Sequence, residues 1–183
     1  MADKNIFPKD FKWGTATSSY QIEGAPNADG KGPSVWDTFS HVDGNIKNND
    51  TGDTACDHYH LWPKDFKIIK DLGVNAYRLS LSWPRIFATG KETSPNQKGL
   101  DFYSRLIDAL LENRITPFIT LNHWDIPQGL EDDGGWTDRS MVDAFVKYSF
   151  HVSKHLGDRV TNWITHNEPW CISYIGYIAG HKP

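Results

Sequence analysis

Ala76-Tyr-Arg-Leu-Ser-Leu-Ser-Trp83 alternates with a period of two. Tyr77, Leu79 and Leu81 fall on one side, and Arg78, Ser80 and Ser82 on the other, as in a strand whose two faces meet different surroundings. Residues 116–124 (TPFITLNHW) and 160–167 (VTNWITHN) are similar short strands, and a first strand is expected over Phe11–Tyr20. Amphipathic helices run between them. One carries Leu100, Tyr103, Leu106, Ile107, Leu110 and Leu111; another carries Val142, Phe145, Val146, Ser149, Val152 and Leu156. Trp62, Phe66 and Ile69 mark a third. Gly73 and Gly157 stand where left-handed residues would end helices, and Thr137 with Asp138 where one would be capped.

Strand and helix thus alternate, with a longer connection rich in Gly, Asn and Asp over residues 24–53, which implies parallel strands with crossover helices. A doubly wound sheet would carry a phosphate-cradling glycine loop after its first strand, and neither GxGxxG nor a Walker A motif is present. A (β/α)8 TIM-type barrel places functional groups at the carboxyl ends of several strands. Here those ends read Tyr20-Gln21-Ile22-Glu23, Ser82-Trp83, Asn122-His123-Trp124-Asp125 and His166-Asn167-Glu168-Pro169-Trp170. The barrel is the expected fold. A complete one takes about 250 residues, and four strands occupy most of these 183. Residues 1–183 are therefore expected to form the N-terminal half of a single barrel domain.

Composition narrows the function. With 38% hydrophobic and 23% charged residues the chain can bury a core. A net charge of −4 gives no basic surface for nucleic acid or anionic membrane. No apolar run approaches the roughly 18 residues of a membrane span. Met1–Asp10 is polar and lacks the apolar stretch of a signal peptide, so a cytoplasmic location is expected. Cys56 and Cys171 lie far apart, outside any CxxC, and read as free thiols. His58, His60 and His123 form no zinc-ligand spacing, so no structural zinc site is expected. Eight Trp residues fit either an aromatic core or a cleft with flat apolar walls.

In a barrel the apolar side of the second strand meets the helices, and Arg78 points inward. It then serves either an internal salt bridge or the tuning of an active-site carboxylate. Glu168 is either a surface loop carboxylate or, beside Asn167 and flanked by Trp163 and Trp170, a proton donor whose pKa partial desolvation raises. Pro169 biases it toward extended backbone. Gln21, Asn122, His123 and Asn167 offer uncharged hydrogen-bonding groups, and Trp83, Trp124 and Trp170 offer flat faces. That mixture suits a sugar better than a phosphate or carboxylate. Strict alternation sets His123 beside Ile119 and Leu121 on the helix side, so a sugar-facing role requires a bend at the strand end. Glu23 and Asp125 read as structural carboxylates.

Phe11-Lys-Trp-Gly-Thr-Ala-Thr-Ser-Ser-Tyr-Gln-Ile-Glu-Gly-Ala25 resembles the N-terminal signature of glycoside hydrolase family 1, the β-glucosidase family. Tyr77–Trp83, Asn122–Asp125 and Thr165–Pro169 resemble its motifs on strands two, three and four, in order, so the resemblance covers essentially the whole chain. It implies a (β/α)8 barrel and retaining hydrolysis of β-linked glucosides without a cofactor. By resemblance Glu168 is the general acid/base, Gln21, His123, Trp124 and Asn167 contact the sugar, and Arg78 holds the nucleophile's carboxylate. Glu168 also argues against the thioglucosidases that carry glutamine there. The family's nucleophile, a glutamate in a Thr-Glu-Asn-Gly type motif, has no counterpart in these 183 residues. The chain alone is therefore expected to be inactive, with a C-terminal half-barrel chain or a second copy of itself as partner. A catalytically incompetent, self-associating half-barrel and a 6-phospho-β-glucosidase are the alternatives. An unrelated isomerase or aldolase barrel lacks the lysine or metal cluster it would need at its strand ends.

Overall fold

The computed structural model describes residues 7–183; Met1–Ile6, part of the polar stretch that argued against a signal peptide, lie outside the described residues. Four parallel strands, β1 (Gly14–Ala16), β2 (Ala76–Ser80), β3 (Thr116–Asn122) and β4 (Asn162–His166), form one sheet in sequential order. The helices α3 (His58–Asp71), α5 (Gln97–Glu112) and α7 (Ser140–Leu156) lead into β2, β3 and β4. Short helices α1 (Ser19–Ile22), α2 (Val35–Ser40), α4 (Trp83–Ile86) and α6 (Gln128–Glu131) occupy the connections at the carboxyl ends of the strands. This is a run of four consecutive strand units of a (β/α)8-type barrel. Among the described residues no helix is long and apolar enough to cross a membrane.

The period-two reading of β2 holds. Tyr77, Leu79 and Leu81 are buried in the core with Ile119 and Leu121 of β3, under Phe66 and Ile69 of α3, the apolar face of α5, and Tyr148, Val152 and Leu156 of α7. Arg78 lies on the opposite face. The first strand is much shorter than Phe11–Tyr20. Gly14 runs so close to β2 that a Cβ there would stand 2.7 Å from the Ala76 carbonyl oxygen, and the backbone turns into α1 two residues after Thr17.

Two helical stripes also differ. On α7 the buried line is Met141, Tyr148, Val152 and Leu156, while Val142 and Val146 are exposed. On α5, Leu111 is exposed and Phe102 is buried instead. Both helices carry apolar residues on more than one line, and packing on the sheet selects which line is covered. Gly73 is left-handed as expected (φ 73°), but Gly157 is not (φ −71°). Thr137 does not cap α7; the Asp138 carboxylate accepts the Ser140 N–H at 2.8 Å.

Candidate active site

At the carboxyl end of the sheet, on the face away from the helices, Arg78 organises the neighbourhood. Its Nε donates to Thr120 Oγ1 at 2.9 Å and its Nη2 to Asn167 Oδ1 at 2.7 Å. Thr120 stands two residues beyond Arg78's register partner Phe118, so the guanidinium leans along the strands toward the loop after β4. None of its contacts among the described residues is a carboxylate, and the internal salt bridge is thereby replaced by neutral partners. Thr120 was not singled out from the sequence. Its signal was the alternation that places it opposite Ile119 and Leu121.

Asn167 is held at both ends. Its side chain accepts from Arg78, and its carbonyl accepts the Trp124 indole Nε1–H at 2.9 Å. This draws the loop after β3 against the loop after β4. Two residues here, Trp124 (φ 75°) and Glu168 (φ 42°), adopt left-handed backbone, which is uncommon for bulky side chains and costs of order 1–3 kcal/mol each. Glu168 is thus not extended as the following proline suggested. Its side chain is exposed and accepts from Cys171 Sγ at 3.1 Å.

β3 ends at Asn122, and the chain turns left-handed at Trp124, directly after His123. His123 is half-buried near the charges of Arg78 and Glu168. Burial, reinforced by Arg78 and opposed by Glu168, depresses its pKa to about 4. The imidazole is therefore neutral at neutral pH, and its buried Nδ1 has no hydrogen-bond partner among the described residues. Gln21 is exposed on α1, at the same end of the sheet, with no side-chain hydrogen bond to Arg78, His123, Trp124, Asn167 or Glu168 among the described residues.

The aromatic residues divide. Trp83 is a core residue, 1% exposed and stacked on Tyr148 with ring centroids 4.6 Å apart, so it walls no cleft. Trp163 packs against the core on the helix side and does not flank Glu168. Trp170 is exposed and stacks on Tyr174. Asn122 is fully buried and donates to His166 Nδ1 at 3.3 Å rather than facing the open side.

Glu23 and Asp125 lie beneath the site. Glu23 accepts from Arg85 at 3.0 Å and from the Tyr103 hydroxyl at 2.7 Å. Asp125 is fully buried. Desolvation pushes its pKa to about 8, with the Ser19 hydrogen bond and Lys31 opposing and Glu23 reinforcing; the adjacent Tyr148 hydroxyl also feels its charge. The folded protein retains this proton from about pH 3.8 to about pH 8, where the unfolded chain has released it. Asp125's favourable contribution is therefore full below that window and lost as pH rises through about 8. Asp125→Asn should flatten the decline of the thermal midpoint from about pH 5 to about pH 8.5. Parallel profiles for parent and variant in circular dichroism melts would refute this.

Cys56 and Cys171 are free. Among the described residues no group of three or more His, Cys, Asp or Glu side chains is placed to hold a metal.

Residues 3–183 match the family model described as glycosyl hydrolase family 1. The chain is 57% identical over 178 residues to β-glucosidase A of Thermotoga maritima, covering 97% of this chain and 40% of that protein. It is 58% identical over 181 residues to β-glucosidase A of Acetivibrio thermocellus, covering 98% and 40%. It is 49% identical over 178 residues to the human cytosolic β-glucosidase, covering 97% and 38%. A solved structure of the Thermotoga maritima β-glucosidase with castanospermine superposes with a TM-score of 0.93, at 57% identity over 96% of this chain and 40% of that one. The chain thus spans about 40% of the length of these relatives. With its four parallel strand units and its ordered motifs, the chain belongs to glycosyl hydrolase family 1.

Proposed function

We propose that residues 1–183 supply the acid/base and part of the sugar-binding site of a retaining β-glucosidase, as the N-terminal half of its barrel domain. The observation that carries this reading is the joining of Arg78, Trp124 and Asn167 by hydrogen bonds beside Glu168 and a neutral His123. A neutral imidazole, two amides and an indole match sugar hydroxyls and C–H faces. Glu168 protonates the departing glycosidic oxygen and then activates water. Gln21, His123, Trp124 and Asn167 hold the sugar, and Arg78 turns its remaining donors toward the nucleophile's carboxylate.

Retention requires a second carboxyl about 5–5.5 Å from the first. Glu23 and Asp125 are buried and committed to Arg85, Tyr103 and Ser19. The nucleophile is therefore supplied by a further half-barrel. Substrates are β-linked glucosides or oligosaccharides, in keeping with the names of the relatives. A cytoplasmic location is the matching reading, supported by the name of the human relative.

The test is a fusion of this chain to the remaining portion of the Thermotoga maritima β-glucosidase A. The fusion is expected to hydrolyse aryl β-glucosides, and the 183-residue chain alone to show no turnover above the uncatalysed rate. Turnover by the chain alone would place a nucleophile within it. An inert but folded fusion would refute the assignment.

A further inference from the structure

The sugar-contacting residues proposed above come from loops after strands that are not neighbours. Gln21 follows β1, and His123 and Trp124 follow β3, with β2 between them. A buried hydrogen-bonded chain crosses that gap. The Ser19 hydroxyl donates to Asp125 Oδ2 at 2.5 Å, the Ser19 N–H donates to Ser80 Oγ at 2.8 Å, and the two serine hydroxyls lie 3.0 Å apart. Either serine hydroxyl can donate in that last contact. All three side chains lie in residues no more than 2% exposed. Ser19 is two residues from Gln21, and Asp125 directly follows Trp124.

A carboxyl buried this deeply is a poor choice for packing alone. Its Oδ1 has no partner among the described residues. It borders a cavity of about 10 Å³ that Lys31, Ser34, Asp37 and Ser82 also line. An apolar side chain filling the same space would avoid both the desolvation and the orphaned oxygen. What such a side chain could not do is accept from Ser19 while the next residue back holds a left-handed turn.

We propose that Asp125 is a positioning residue: through Ser19, and through Ser80 at the end of β2, it locks the loop bearing Gln21 to the loop bearing His123 and Trp124. The two segments then open and close as one unit, and the sugar-binding groups stay in register without Asp125 touching the sugar. The sugar part of this inference rests on the function proposed above; the lock itself does not.

Hydrogen–deuterium exchange on the chain tests the lock. Ser19→Ala removes one oxygen and leaves Asp125, His123 and Trp124 intact. It should speed amide exchange in residues 122–126, as well as in 19–24, by about tenfold or more. Asp125→Asn keeps an acceptor for Ser19 and should exchange like the parent. Acceleration confined to residues 19–24, with 122–126 within about twofold of the parent, overturns the lock.

In the fusion, Ser19→Ala should raise KM for an aryl β-glucoside about tenfold with little change in kcat, and Asp125→Asn should stay near the parent. An active parent fusion whose KM is unmoved by Ser19→Ala overturns the positioning role. An inert parent fusion instead refutes the β-glucosidase reading, while the exchange result still decides the lock.

Discussion

Glu168→Gln in the fusion is expected to lower kcat on cellobiose by about 10²–10⁴, the contribution of a positioned general acid/base. The loss should shrink on glucosides whose aglycone leaves without protonation, because only the proton transfer is missing. Glutamine preserves the size of the side chain and can still accept from Cys171, which now donates to the Glu168 carboxylate at 3.1 Å. The left-handed backbone at residue 168 is also retained, so the variant should fold as the parent does. Steady-state rates over a series of leaving groups provide the measurement. Near-parent turnover of cellobiose, or an equal loss on every leaving group, would remove Glu168 from the acid/base role.

Arg85→Met should cost about 3–5 kcal/mol of folding free energy, the usual penalty for leaving one member of a buried ion pair alone. The Arg85 side chain is 0% exposed and that of Glu23 5%, so solvent does little to screen the pair. Arg85 bonds Glu23 through both Nε and Nη2 and lies 4.2 Å from the centroid of the Tyr59 ring. Methionine replaces much of the apolar stem, but the Glu23 charge would keep only the Tyr103 hydroxyl as a donor among its present partners. The urea midpoint, read by tryptophan fluorescence, is the observable. A double variant, Arg85→Met with Glu23→Gln, should recover part of the loss because the stranded charge is gone. A single-variant loss below about 1 kcal/mol would mean the pair is dispensable.

The two predictions separate functions that look alike in sequence. Glu23 and Glu168 are both loop carboxylates after strands. One is enclosed by a guanidinium and a phenol, and the other stands exposed at the mouth of the sheet. Of the two, Glu168 is open to solvent and Glu23 is the one costly to leave unpaired. This difference sets the expected readout of each substitution, rate for one and stability for the other.

By itself the sequence determined the order of strands and helices, the inward face of Arg78 and the place of Asn167-Glu168-Pro169 at a strand end. It could do so because burial on one face imposes a repeat of two on a strand and about 3.6 on a helix. Tertiary structure decided what lies where those repeats stop. His123, the residue just before a left-handed turn at Trp124, lies near the charges of Arg78 and Glu168, where strict alternation would have set it against the helices. Trp83, three residues past β2, falls onto Tyr148 in the core instead of onto a ligand. The buried line of α7 was settled by the sheet it packs on, since more than one line is apolar. The Ser19–Asp125 bond becomes visible only in space, since it joins groups 106 residues apart. A local repeat records which face of an element is buried. The partners that a polar side chain finds across the fold depend on the closeness of strands and loops that no local repeat encodes.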